Sequence, residues 1–157
     1  QMPVSEPAGD WKTRLAAVAA DNLELFATHP WLAEIETERA VLGPGTLAKY
    51  ERELAAVETL PLGDVEKDAA LGLVVDFARS AARALAHAER ERGRETPEQW
   101  WAREGAALAR LGVTERFPRA SRIGTAAGEA HRAAHDARSA YRFGLQVILD
   151  GLGTAGS

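Results

Sequence analysis

His131 and His135 stand four residues apart, the spacing at which two imidazoles on one helical face could share a metal ion. Zinc needs a third ligand. Asp136 points to another side of such a helix, Glu129 is the remaining candidate, and Arg132 and Arg138 flank the pair, so a solvated face is expected and no metal is assigned. His29, just before Pro30 and Trp31, sits where a histidine caps a helix C-terminus rather than where it acts as a base. No Ser, His and acid set has local support, and Gly43-Pro44-Gly45 cannot cradle phosphate because Pro44 lacks a donor such a loop needs. No catalytic residue and no cofactor are expected; the chain reads as a non-enzyme.

Binding is the chemistry that remains. A small-molecule cavity is mostly apolar with a few placed polar groups, so polar or large aromatic residues on apolar faces are the candidates. Asn22 interrupts the inward face of the first helix, as a ligand contact or as a buried amide bonded to backbone. Phe26, Trp31 and Tyr50 could line a cavity wall or simply fill the core. Val75, Asp76 and Arg79 share the longest helix, where Asp76 with Arg79 or Ser80 forms an internal ion pair, orients an effector, or bridges to a second subunit. Trp100 and Trp101 lie ~100° apart on a helix and cannot both face inward; Trp101 is assigned to the cavity. Aromatics combined with Asn22 and Asp76 suggest a mid-sized, mainly apolar molecule with a few polar or basic groups.

The elements that position these residues are all helical. The longest pattern runs from Asp64, a good N-cap, to Arg92 before Gly93, a residue able to take the left-handed C′ conformation. Leu71, Val74, Ala78, Ala82 and Leu85 make one stripe on it, while Leu73, Val75, Phe77 and Ala81 occupy other sides. A helix apolar all round is buried on more than one side, so this one should separate a cavity from a second subunit. Asp10 opens a helix carrying Trp11, Leu15, Val18, Leu25 and Phe26, which must stop near Thr28 because His29 precedes Pro30. A short helix from Trp31 to about Ala40 follows. Thr46 is expected to cap the next, with Leu47, Tyr50, Leu54 and Val57. Thr96-Pro97-Glu98-Gln99 is a capping box with Pro at N1 and starts a helix that runs toward Gly112. Val113 to Gly128 suggests a turn, a short helix and another turn, before a last helix from near Glu129 to Asp150. No β-branched alternation sustains a strand, so the chain is all-α.

The last helix has two apolar faces: Tyr141, Leu145, Ile148, Leu149 and Leu152 on one, Ala140, Phe143, Gly144 and Val147 on the other. One face can serve the domain's own core, and the other then needs a partner, most simply a homodimer in which two helices from each chain form a four-helix interface. Ala81, Leu85, Tyr141, Leu145, Ile148 and Leu149 are assigned to it; the competing arrangement is one thick bundle that consumes both faces.

The 157 residues, 46% hydrophobic, are enough for one domain with a real core, expected over residues 10–152 between tails at 1–9 and 153–157. The absence of cysteine removes disulfides and thiolate chemistry and fits a reducing compartment. With no run of ~20 apolar residues and no signal-peptide pattern, no membrane span is expected, and the cytoplasm is the expected location. A net charge of −4 argues against this chain alone embracing a phosphate backbone.

Asp10-Trp11, then His29-Pro30-Trp31-Leu32 at a helix end, Leu42-Gly43-Pro44-Gly45 opening another, the long helix, and finally Phe143-Gly144-Leu145 with Leu149-Asp150-Gly151-Leu152 together resemble the C-terminal domain of the tetracycline-repressor family of bacterial regulators. The resemblance covers roughly Asp10 to Leu152. It implies an all-α domain that binds a small effector in a cavity between helices and dimerises through two helices per subunit, here the long helix and the last. The family reads DNA with an N-terminal helix-turn-helix module, for which there is no room before Asp10; the chain resembles a regulator's sensing half, cut or naturally separated from its DNA-reading half. The implied function is a repressor domain whose effector releases the full-length protein from DNA. The alternatives are a free-standing all-α small-molecule binder, and a small enzyme or metal protein built on His131 and His135.

Overall fold

A computed structural model describes residues 10–34, 43–133 and 135–155, and the chain is helical throughout that range apart from short connections. The helices are α1 (Asp10–Thr28), α2 (Pro30–Glu34), α3 (Pro44–Leu54), α4 (Asp64–Arg92), α5 (Pro97–Arg110), α6 (Val113–Arg116), α7 (Pro118–His131) and α8 (Ala137–Thr154). They form two compact units, one of residues up to Arg83 together with those from Tyr141 onward, the other Ala84–Ala140. Among the described residues no helix is long and apolar enough to cross a membrane.

The first unit has a core whose spacing can be followed along the chain. Trp11, Leu15 and Ala19 recur every four residues on α1 and meet Ala56, Val57 and Leu60 from the turn after α3, Leu71 and Val74 of α4, and Leu149 of α8. Fully burying side chains of the size of Leu15, Val57 and Val74 is worth ~1.5–3 kcal/mol each, and this cluster fixes α1 against α4 and α8. A smaller cluster joins Phe26 of α1, Ala33 of α2 and Ala82 of α4, with Val75 packed against both clusters. Lys12 of α1 is ion-paired to Asp150 of α8 at 2.8 Å, and its hydrogen bond holds the Asp150 carboxyl below the usual range.

Phe77 of α4 lies against Gly144 of α8 and stacks on Tyr141 with ring centroids 5.7 Å apart. Leu71 and Val74, earlier on α4, share the core with Leu145, Leu149 and Leu152, later on α8, so the two helices run antiparallel.

Several helix ends differ from the sequence expectation. α3 starts at Pro44, with Gly43 as N-cap, rather than at Thr46: proline's fixed φ suits the first helical position, and its missing N–H belongs to a group unpaired there in any case. The first bond of α4 runs from the Lys67 N–H to the Gly63 carbonyl at 2.9 Å, so Asp64 stands inside the first turn, where its charge favours the helix dipole. Gly93 does not adopt the left-handed conformation; among the described glycines Gly112 does, at φ 61°, where α5 gives way to α6. The expected helix from Trp31 to Ala40 is seen as α2, and its second half lies outside the described residues.

The largest difference is near the end of the chain. Pro118–His131 is one fourteen-residue helix, and no single helix runs from Glu129 to Asp150. Arg132 takes the left-handed conformation at φ 51° and ends α7. Asp136 then caps α8, its Oδ1 accepting from the Arg138 and Ser139 N–H groups at 3.0 and 3.2 Å and its Oδ2 from the Ser139 hydroxyl at 2.7 Å. Those bonds hold its carboxyl below the usual carboxylate range, the Ser139 hydroxyl foremost.

Candidate functional site

Asn22 is 1% exposed and is the one buried polar side chain among the described residues. Its amide donates to the Val18 carbonyl at 2.9 Å and to Glu53 Oε1 at 2.6 Å, and its oxygen accepts from Lys49 Nζ at 2.9 Å. Both donors and the acceptor are engaged, so Asn22 fastens α1 to α3 and has no donor left for a ligand.

Phe26 is buried in the smaller cluster, and Val75 packs beside it. The Arg79 guanidinium lies 5.2 Å from the Phe26 ring centroid and 3.1 Å from Asp76, one turn back on α4. Arg83 donates to the Ala33 carbonyl and faces Glu34 at 3.5 Å, tying α4 to α2. Trp31 is 61% exposed, in edge contact with His29. Tyr50 is exposed and its hydroxyl donates to Asp68 at 2.5 Å; deprotonation would lose that bond beside a carboxylate, so its phenol is pushed above the usual range. Of the expected cavity residues on this unit, the structure brings together Phe26, Val75, Asp76 and Arg79, and holds Asn22, Trp31 and Tyr50 in separate environments.

The Ala84–Ala140 unit contains an open cleft of about 710 Å³, within the size range of small-molecule sites. The last turns of α4 supply Ala84, Ala88 and Glu91; the capping box of α5 supplies Glu98 and Trp100; and the α7–α8 connection supplies Ala133 and Asp136. The box is formed as the sequence implies, with the Gln99 N–H donating to the Thr96 hydroxyl at 3.2 Å and the Thr96 N–H to the Gln99 side chain at 3.0 Å, which fixes Glu98 and Trp100 at the mouth of α5. Trp101 is engaged elsewhere, its indole edge lying where a Cβ on Gly128 would stand, 2.5 Å away. Small residues wall the cleft, one indole lines it, and its charged lining is four carboxylates against the single guanidinium of Arg92.

His131 and His135 also reach this cleft, but they fall on either side of the break after α7 and do not share a helical face. His131 faces Asp136 at 3.6 Å, and among the described residues no group of three or more potential ligands could hold a metal ion. The cleft escaped the sequence because its lining comes from helix ends, whereas periodicity reports helix faces. The signal available was the charged run from Glu89 to Glu98 closed by a capping box and a tryptophan.

The apolar residues of α8 divide between two faces. Leu149 is buried in the core, with Leu145, Ile148 and Leu152 packed against it, and Tyr141 lies on Phe77, where burial raises its phenol above the usual range. Phe143 and Val147 are 74% and 53% exposed, and Leu73 on the neighbouring α4 is 50% exposed. Leu73 stands one turn before Phe77 and Val147 one turn after Gly144, so in antiparallel helices they extend the same seam. Ala81, one turn after Phe77 on α4, is buried, and Leu85, a turn further on, is partly buried.

An all-α chain with these two long antiparallel helices defines a helical-bundle class, and comparison places it within that class. Residues 2–155 match the model of the Tetracyclin repressor-like, C-terminal domain family. The HTH-type transcriptional repressor DrrR1 of Streptomyces coeruleorubidus is 30% identical over 159 residues, an alignment covering 97% of this chain and 56% of that repressor. The chain belongs to the family of tetracycline repressor-like C-terminal domains.

Proposed function

We propose that this chain is the ligand-sensing and dimerisation domain of a bacterial transcriptional regulator acting in the cytoplasm. Two copies pair through α4 and α8, and a small effector shifts the helices between two packings, releasing DNA held by an N-terminal helix-turn-helix of the full-length protein. The chain spans 56% of the length of the repressor it is similar to, which leaves that relative room for a further domain. The observation that carries the proposal is the apolar seam on α4 and α8. Leu73, Phe143 and Val147 stand open on adjacent helices beside Gly144, in a chain whose family resemblance implies pairing through these two helices. Of the residues assigned from sequence to the interface on α8, Tyr141 borders this seam through its stack on Phe77, while Leu145, Ile148 and Leu149 pack in the core.

Light scattering tests it. The native chain is expected at the mass of a dimer, and Val147→Glu at the mass of a folded monomer, because each copy would bury an unpaired carboxylate. Leu145→Glu, directed at the chain's own core, should unfold the protein instead. A native chain that stays monomeric at high concentration overturns the dimeric sensor.

A further inference from the structure

We propose that the Ala84–Ala140 cleft takes an organic cation with a planar aromatic body, an inference that rests on reading the chain as an effector sensor. The cleft's lining carries four carboxylates and one guanidinium, and its ion pairs leave Glu98 without a partner among the described residues. Glu95 is held by Arg103 at 3.0 Å and Glu91 by the outlying Arg94 at 3.3 Å, while the one guanidinium in the lining, Arg92, is held by Glu89 at 3.1 Å, outside the cleft. Asp136 keeps its negative charge because the cap of α8 stabilises the ionised form. Glu98 has no ion-pair partner among the described residues and stands two positions before Trp100. A negative lining repels anions and raises the local concentration of cations.

Trp100 supplies the second half of the recognition. Its indole is half-buried, leans on Trp101 with centroids 6.3 Å apart, and lines the cleft together with small alanines of α4 and the start of α8. An indole face attracts both a flat ring and a positive charge, and the alanines leave room for a slab-shaped body. The lining holds no lysine, its arginine is paired to Glu89, and its other basic side chains are the imidazoles of His87, His131 and His135, so no unpaired guanidinium or ammonium stands ready for a carboxylate or phosphate. A cation with an aromatic body uses each of these features at once, whereas a neutral ring of the same size uses only the walls.

The test is a fluorescence titration of the intact chain with three probes of similar size: ethidium as the cation, 8-anilinonaphthalene-1-sulfonate as the anion and N-phenyl-1-naphthylamine as the neutral ring. Ethidium is expected to bind saturably and at least tenfold more tightly than the anion, with affinity falling as salt rises. Glu98→Gln and Glu91→Gln should each weaken it roughly three- to tenfold, and Trp100→Leu should weaken all three probes. Unchanged helicity and melting temperature of each variant exclude unfolding as the cause. Equal or tighter Trp100-dependent binding of the anionic or neutral probe overturns the cation specificity and leaves the sensor standing. If no probe binds in a Trp100-dependent way, the cleft is not a ligand site and the cation proposal falls, while the dimerisation test above still stands or fails by itself.

Discussion

Replacing Gly144 by alanine adds one methyl group where the ring of Phe77 already lies: the new Cβ would stand 2.5 Å from Cζ and 2.8 Å from Cε2. Non-bonded carbons settle at ~3.5–4.0 Å, so the ring has to retreat by about 1 Å. Its retreat is hindered by Tyr141, stacked on it with planes 10° apart. Overpacking of this kind costs ~1–3 kcal/mol, offset by the ~1 kcal/mol gained when glycine leaves a helix interior. The expected net is a loss of about 1 kcal/mol, or ~2–4 °C in a chain of this size. Gly124, in the exposed middle of α7, has nothing within 4 Å of its added Cβ, so Gly124→Ala should show the propensity gain alone and raise the melting temperature. Thermal melts by circular dichroism at one fixed protein concentration make the comparison, since dimerisation would otherwise shift the midpoint. Phe77→Leu should relieve the clash, so the double variant Phe77→Leu, Gly144→Ala should lose less than the two single losses added together. If Gly144→Ala stabilises as much as Gly124→Ala does, α4 and α8 do not meet as described.

Asn22→Ala removes the amide that joins α1 to α3 and leaves the Glu53 and Lys49 ends paired only to each other; urea melts should show a loss of ~1–3 kcal/mol, and no loss would mean the network is not formed. Asp136→Ala removes the cap of α8 and should cost about 1 kcal/mol at neutral pH. Because the folded carboxyl is held below the ordinary carboxylate range, the native advantage is fully present above the range of the unfolded group and is lost as pH falls through the depressed one. Paired melts of native and Asp136→Ala protein from pH 7 down to about 2.5 should therefore converge, and a constant gap would contradict a charged cap.

Helices with explicit end signals were legible in the sequence. Asp64–Arg92 and the Thr96-Pro97-Glu98-Gln99 box appear in the structure with nearly the boundaries their residues imply, because a cap or a proline acts within one turn and needs no tertiary partner. The break between α7 and α8 was not legible. An arginine occupies the left-handed position that glycine usually marks, and Asp136 follows an alanine-rich run that could equally continue a helix. In α7, Gly124 and Gly128 suggested turns, but Gly128 is there to admit the edge of Trp101, a contact made across 27 residues. Asn22 was visible as an interruption of an apolar face; that Lys49 and Glu53 would satisfy it depended on where α3 docks. Which apolar face of α8 stays open was likewise decided by the approach of Phe77 to Gly144, and the pattern of apolar residues alone could not choose.

The measurement that tests the central claim most directly is an electrophoretic mobility shift with the product of the whole reading frame that contains this chain, on the DNA upstream of its own gene. A sensing and dimerising half of a DNA-binding regulator predicts that the whole product shifts that DNA, that Val147→Glu in it loses the shift, and that residues 1–157 alone give none. A whole product that ignores the DNA, or one that binds it equally well with the seam disrupted, would contradict the account.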